Sequence, residues 1–238
     1  MSFLRRTRSL ADGIQRRLSI RLLCVLTSCA LSGCSFLQPA ADPTRFYVLT
    51  VPSTPAERAV GSEYKQWKVG LRPMEVPAYL QSKAMVVRSG TNEIHFADFD
   101  RWAEPLDQGI SRVIKETLSS APNVETVTLN SHGEDTLDYE VAIRLLACDG
   151  LRVGKGAGTI RFAVTWEVRS IGTNSTPPQR GIFTANSVAW DGKDYGQLAQ
   201  RLGEAIAEAS RAVAADLPME VKTAEKPRLE KANHEYHN

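Results

Sequence analysis

The sequence is poor in the residues from which most protein chemistry is built. Its 238 residues include only four cysteines and four histidines. Three of the cysteines (Cys24, Cys29 and Cys34) fall within the first 34 residues, which leaves Cys148 alone in the rest of the chain. That count excludes a disulfide-stapled scaffold. His95, His132, His234 and His237 are scattered, and the one close pair, His234-x-x-His237, lies in a polar stretch with no partner cysteine. No metal-ligand set is expected from them. Charge of one sign is also lacking: 29 Lys and Arg face 27 Asp and Glu, a net +2. A nucleic-acid binder would need clustered basic residues, so that class is set aside. No apolar run reaches the ~20 residues that span a bilayer, which excludes a polytopic membrane protein. With 42% hydrophobic residues, 16 Gly and 12 Pro, the chain is neither collagen-like nor wholly disordered.

What is present begins with an uneven distribution of charge. Residues 1–33 hold six of the arginines (Arg5, Arg6, Arg8, Arg16, Arg17, Arg21) and one acid, Asp12. The remainder, 34–238, therefore has 23 basic and 26 acidic residues, a balance of −3. After the arginines comes LLCVLTSCALSG at 22–33, an apolar run of the length of a secretory h-region. It ends in Leu31-Ser32-Gly33-Cys34, which resembles the lipobox of bacterial lipoproteins. Small residues before the cysteine let the chain enter the peptidase extended, and the thiol accepts the diacylglycerol and acyl (palmitate-type) chains. Cys34 is thus the expected lipidation site and this modification the only non-protein group expected. Leu26-Thr27-Ser28-Cys29 is a poorer second choice because its apolar run is half as long. Arg16-Arg17 lacks the flanking pattern of a twin-arginine signal. Ser35 is not the aspartate that retains such proteins in the inner membrane, so the outer membrane is the expected destination.

The expected organisation is a signal peptide at 1–33, a tether at 34–43, a domain at 44–217 and a disordered charged tail at 218–238. Within the domain, strands are expected at 45–51, 67–72, 85–88 and 93–96, the last two joined through Ser89-Gly90-Thr91-Asn92. Pro73 and Pro77 impose an irregular, extended crossing. Leu106, Ile110, Val113, Ile114, Thr117 and Leu118 form one stripe of a helix. After a strand at 124–129 come two long ones. Tyr139, Val141, Ile143, Leu145 and Ala147 share one face of the first; Ile160, Phe162, Val164, Trp166 and Val168 share one face of the second. Asp149-Gly150 is a possible bulge and Gly154-Lys155-Gly156 the turn. A weaker strand at 181–190 precedes a helix capped by Asp194 and stopped by Pro218. Two helices cannot cover both faces of so many strands. The fold class expected is α+β: a two-layer domain, mostly antiparallel sheet, with two amphipathic helices packed on one face.

Motifs for catalysis fail on inspection. Gly150-x-x-x-Gly154-Lys155-Gly156 has three residues between its glycines and no Ser or Thr after the lysine, where a phosphate loop needs four and a hydroxyl. No G-x-S-x-G elbow occurs. His95, Asp98 and Ser111 obey no spacing rule of a triad. Asp98, Asp100, Glu104 and Asp107 around Trp102 read as a solvated rim before a helix.

The stretch from Val69 to Leu106 is the recognisable part. Val69-Gly70-Leu71-Arg72-Pro73, Val76-Pro77-Ala78-Tyr79-Leu80, Met85-Val86-Val87-Arg88 and Arg101-Trp102-Ala103-Glu104-Pro105-Leu106 follow an opening Tyr47-Val48-Leu49. Together they resemble the ABC-type transport auxiliary lipoproteins across residues 34–217. Gln81-Ser82-Lys83 departs from the acidic and basic residues that many members carry after Tyr-Leu. The resemblance implies a non-enzymatic, outer-membrane-anchored periplasmic lipoprotein that is an auxiliary component of an MCE/ABC-type intermembrane lipid transport system. It implies an MCE-domain protein as partner and a homo-oligomeric ring, with no nucleic acid. The alternative function is a structural or assembly lipoprotein of the cell envelope unrelated to lipid transport. Pro77, Tyr79, Leu80 and Trp102 are the expected partner or lipid contacts; the competing reading is that Tyr79, Leu80 and Trp102 belong to the core.

Overall fold

The computed structural model describes residues 41–50, 63–132, 136–152, 154, 156–172, 177–185 and 188–222. The expected signal peptide, Cys34, most of the tether and the tail beyond Lys222 lie outside the described residues. The compact unit that carries the sheet starts at Thr44.

Two 13-residue strands, β6 (Tyr139–Leu151) and β7 (Gly158–Ser170), form its spine. They pair antiparallel from Tyr139 opposite Ser170 to Leu151 opposite Thr159. Their alternating aliphatic and aromatic residues explain the length, since one face is buried along the whole ladder. The other edge of β6 is shared end to end by two short strands. β2 (Trp67–Leu71) runs parallel beside its first residues, with Val69 next to Tyr139 and Leu71 next to Val141. β3 (Ala84–Arg88) runs parallel beside its last, with Val87 next to Gly150. Between them the crossing stays on the β6 edge: Arg72 N–H donates to Val141 O (3.0 Å) and Leu145 N–H to Glu75 O (2.9 Å). Pro73 and Pro77 fit because such a stretch needs only some of its N–H groups.

β5 (Val124–Leu129) flanks β2 in parallel, and β4 (Ile94–Trp102) flanks β3 antiparallel. β1 (Arg45–Tyr47) flanks β4 in parallel. On the far side, β8 (Gln179–Ala185) and β9 (Ala189–Trp190) pair antiparallel with β7, replacing the one weak strand expected at 181–190. The nine-stranded sheet therefore has four parallel and four antiparallel pairings. The α+β, two-layer architecture is as expected; the sheet is mixed, its long ladders antiparallel and its short β1, β2 and β3 ladders to β4, β5 and β6 parallel. The reason is topological: β2 and β3 both reach β6 from earlier in the chain and align with it.

Helices α1 (Leu106–Leu118) and α2 (Tyr195–Ala215) lie on one face. The α1 stripe of Leu106, Ile110, Val113, Ile114 and Leu118 is buried. Asp194 caps α2, its Oδ1 accepting from Gly196 N–H (2.8 Å) and Gln197 N–H (3.2 Å). The chain after β1 lies across the helices: Leu49 is buried, and its carbonyl accepts from an Arg112 guanidinium at 2.9 Å.

Two boundaries differ from the sequence reading. The register of β6 shifts between Leu145 and Ala147, so the bulge is at Leu146 and not at Asp149-Gly150. Cys148 and Gly150, opposite Phe162 and Ile160, consequently take the helix-facing side, and Ala147 leaves it. Burial pushes the Cys148 thiol far up, as expected for an inert core cysteine. The domain also continues past residue 217. Val221 bridges to Tyr64, and the Trp67 indole donates to Pro218 O at 2.8 Å.

Gly181 shows how closely the sheet is packed. A Cβ at this position would lie 2.1 Å from Cζ2 of Trp166. That ring is fixed by its own bond to Asp216 Oδ2 at 2.7 Å. Gly181→Ala should destabilise the domain by about 1–3 kcal/mol through overpacking. A thermal melt checks this; an unchanged midpoint would mean the ring swings aside freely.

Candidate functional site

The face of the sheet opposite the helices carries a cluster built from four separated elements. The Leu146 bulge turns Asp149 to this face, and antiparallel register sets Arg161 of β7 opposite it. Arg88 ends β3 next to Leu151. Tyr79 comes from a single 3-10 turn, Ala78–Leu80, that Pro77 starts. Arg88 Nε donates to Asp149 Oδ2 at 3.2 Å, and the Tyr79 hydroxyl donates to the same oxygen at 3.4 Å. Arg161 Nε stands 3.8 Å from Oδ1, a charge contact beyond hydrogen-bond range. The Arg88 guanidinium also lies over the Tyr79 ring, 5.4 Å from its centroid.

The Asp149 side chain is wholly enclosed, and its Oδ1 accepts no hydrogen bond from the protein. Burial pushes its carboxyl above the usual range, while Arg161 and Arg88 pull it back. Burial likewise raises the Tyr79 hydroxyl. One carboxylate bound by two guanidiniums and a phenol contains no nucleophile–base pair. Its physical action is to fasten the Tyr79 turn and the start of β3 to the central hairpin.

Beside this cluster runs an open cleft of about 560 Å³. Arg72, Pro73 and Glu75 of the crossing form one side, and Arg144, Thr165, Glu167 and Arg180 line the rest. Four of its charges are paired: Arg144 with Glu75 at 2.6 Å, Arg180 with Glu167 at 2.8 Å. These pairs are exposed and contribute little to stability, but they give the cleft a patterned polar floor. The opposite layer is closely packed: between α1, α2 and the sheet, a void lined by Ile143, Phe162, Ile206 and Val213 among others measures about 10 Å³. A single water needs roughly 10–15 Å³ of such volume, so an acyl chain has no room there.

The structure divides the four residues that the sequence grouped as contacts. Leu80 is 2% exposed and Trp102 5%, and both belong to the core. Neither presents a surface, because Leu80 points inward from the turn and Trp102 aligns with Tyr47 on the helix side of β4. Pro77 and Tyr79 remain half-exposed. Cys34 lies outside the described residues. Asp149, Arg88 and Arg161 escaped the sequence reading; a charged residue next to Cys148 within an apolar strand was the one available signal. Gly150 and Gly158 are residues of β6 and β7, so the glycine-rich segment joins two strands of a hairpin. No helix among the described residues is long and apolar enough to cross a membrane.

Comparison with known proteins follows the same outline. Residues 47–214 match the model of a family described as ABC-type transport auxiliary lipoprotein component. The crystal structure of protein XCC0632 from Xanthomonas campestris, of family DUF330, superimposes with a TM-score of 0.57 at 13% identity, covering 72% of this chain and 93% of that one. That of an uncharacterized protein gives 0.55 at 18% identity, covering 74% and 99%. At such identities these two likenesses concern the fold. No curated protein matches the chain.

Proposed function

Because the chain belongs to the family of ABC-type transport auxiliary lipoprotein components, we propose that it serves an MCE-type intermembrane lipid transporter from the outer membrane. In this reading Cys34 carries the acyl anchor, and Ser35 after it favours the outer membrane. The domain acts through protein contacts and not through catalysis. The observation that carries the reading is the family match over residues 47–214; the small void of about 10 Å³ between helices and sheet agrees with a docking module rather than a lipid carrier.

The half-exposed Pro77 and Tyr79, beside the polar cleft, are the contacts we assign to the MCE-domain partner. A rigid crossing held by backbone bonds to β6 and by the Asp149 cluster presents them with little loss of conformational freedom on binding. A homo-oligomeric ring would repeat this surface around the partner.

Cys34→Ser tests the anchor. The variant should lose both the acyl mass and its place in the membrane fraction; retention of either overturns the assignment. Pull-down of the wild-type protein from detergent-solubilised membranes should recover an MCE-domain protein. Recovery of cell-wall factors alone would favour a structural envelope lipoprotein instead.

A further inference from the structure

Four of the nine exposed large apolar side chains among the described residues belong to one corner of the sheet: β1, β4 and the residue just after β1. Phe46 is 63% exposed and Val48 48%, in and just after β1; Phe96 is 47% and Phe99 50%, both in β4. They include all the strongly exposed aromatic residues among those described. Register brings them together. Arg45 aligns with Asp100 and Phe46 with Arg101, so strand alternation puts Phe46 on the same side of the β1–β4 pair as Phe99. β4 also bulges here: Ala84 aligns with Arg101 but Val86 with Phe96, so Ala97–Asp100 face a single residue of β3. The bulge thrusts Phe99 outward. Exposed aromatic side chains gathered on neighbouring strands in this way are the mark of a contact surface.

The position of this corner in the chain identifies its occupant. Cys34 and Thr44 are ten residues apart. Fully extended, that stretch spans at most about 36 Å. Phe46 lies two residues beyond Thr44, so an acyl anchor at Cys34 would keep this corner within about that reach of the bilayer. We infer that Phe46, Val48 and Phe99 insert into the headgroup–acyl boundary of the membrane to which the chain is anchored. The inference rests on acylation at Cys34. Arg101, exposed and aligned with Phe46, is placed to meet a lipid phosphate; Arg45 lies on the other side of β1, paired with Asp100 at 2.8 Å, and Asp98 is an exposed acid nearby. Aromatic side chains beside a basic one suit such an interface. Docked there, the domain would turn with its β1–β4 corner to the lipid and β8 away from it.

Tryptophan fluorescence tests this. Trp67, Trp102, Trp166 and Trp190 are all buried and supply a constant background. The lipidated full chain, in phosphatidylethanolamine–phosphatidylglycerol vesicles with or without dibrominated phosphatidylcholine, is compared with Phe46→Trp, Phe99→Trp and Ile182→Trp. Ile182 is 66% exposed on β8, at the far edge of the sheet. The tryptophans at 46 and 99 should each lose about half of their added emission in brominated vesicles, as expected within the ~5–10 Å depth of an interfacial contact. That at 182 should lose none. Two substituted positions guard against one variant failing to fold. If the protein floats with vesicles and carries the acyl mass, yet positions 46 and 99 are quenched no more than 182, the corner is not a membrane contact while the anchor stands. If the acyl mass is absent, both readings fall.

Discussion

Replacing Asp149 with leucine should cost the domain about 3 kcal/mol, read as a fall in the urea midpoint at unchanged m-value. The cost does not come from the carboxylate itself. It comes from Arg88 and Arg161, whose side chains are 15% and 29% exposed and would be left without their counter-charge. Breaking a buried pair costs about 3–5 kcal/mol; the residual exposure of both guanidiniums puts the expectation at the low end. The Tyr79 hydroxyl would lose its acceptor as well, loosening the turn that Pro77 starts. The double variant Asp149→Leu/Arg88→Met should recover part of the loss, since one of the stranded charges is gone. A single-variant loss below about 1 kcal/mol, or no recovery in the double, would show that water solvates the cluster well enough for the pairing to be dispensable.

Trp102→Ala should be more severe, at about 3–5 kcal/mol, the usual cost of removing a large aromatic from a packed core. Trp102 closes β4 where the chain turns through Pro105 into α1, and its backbone N–H, which alanine would keep, donates to Lys83 O at 2.7 Å. Its loss would open a cavity under the entry to the helix. The result expected is a lower melting temperature and poorer yield of folded protein. A variant that melts like the wild type but fails to bind an MCE-domain partner would return Trp102 to the surface role first assigned to it.

These two residues mark where the sequence was readable. Each helix was evident because its apolar residues repeat at the helical period, and Asp194 and Pro105 sit where helix starts need them. The β6–β7 hairpin was evident from its alternation. Alternation has a weakness, since one inserted residue inverts every side chain that follows. The Leu146 bulge does this, and it is why Asp149 was read as a bulge residue and not as a partner of Arg88, while Ala147 was set on the face of Leu145. The members of the cluster are also far apart in the chain, with Arg88 and Asp149 separated by 61 positions. No local pattern records such a meeting. The motif holding Tyr79 and Leu80 was legible as a motif, but adjacent residues of a 3-10 turn point in different directions, and only the packed fold tells which faces out. The parallel docking of β2 and β3 was invisible for a related reason: strand period reports a buried face, never the direction of a neighbour.

The tandem arrangement on the β6 edge has a consequence for how the molecule is made. Ribosomes deliver a chain from its N-terminus. β1 to β5 therefore emerge before β6, the strand against which β2 and β3 align. Until Leu151 is synthesised, β2 and β3 lack the strand they dock against, and that edge of each waits unpaired. The β3–β4 and β6–β7 hairpins are local enough to form at once; pairings such as Val69 with Tyr139 must close loops of some 70 residues. A high contact order of this kind predicts slow acquisition of structure. Slow acquisition suits a chain destined for export, which has to stay unfolded until it has been threaded through a membrane.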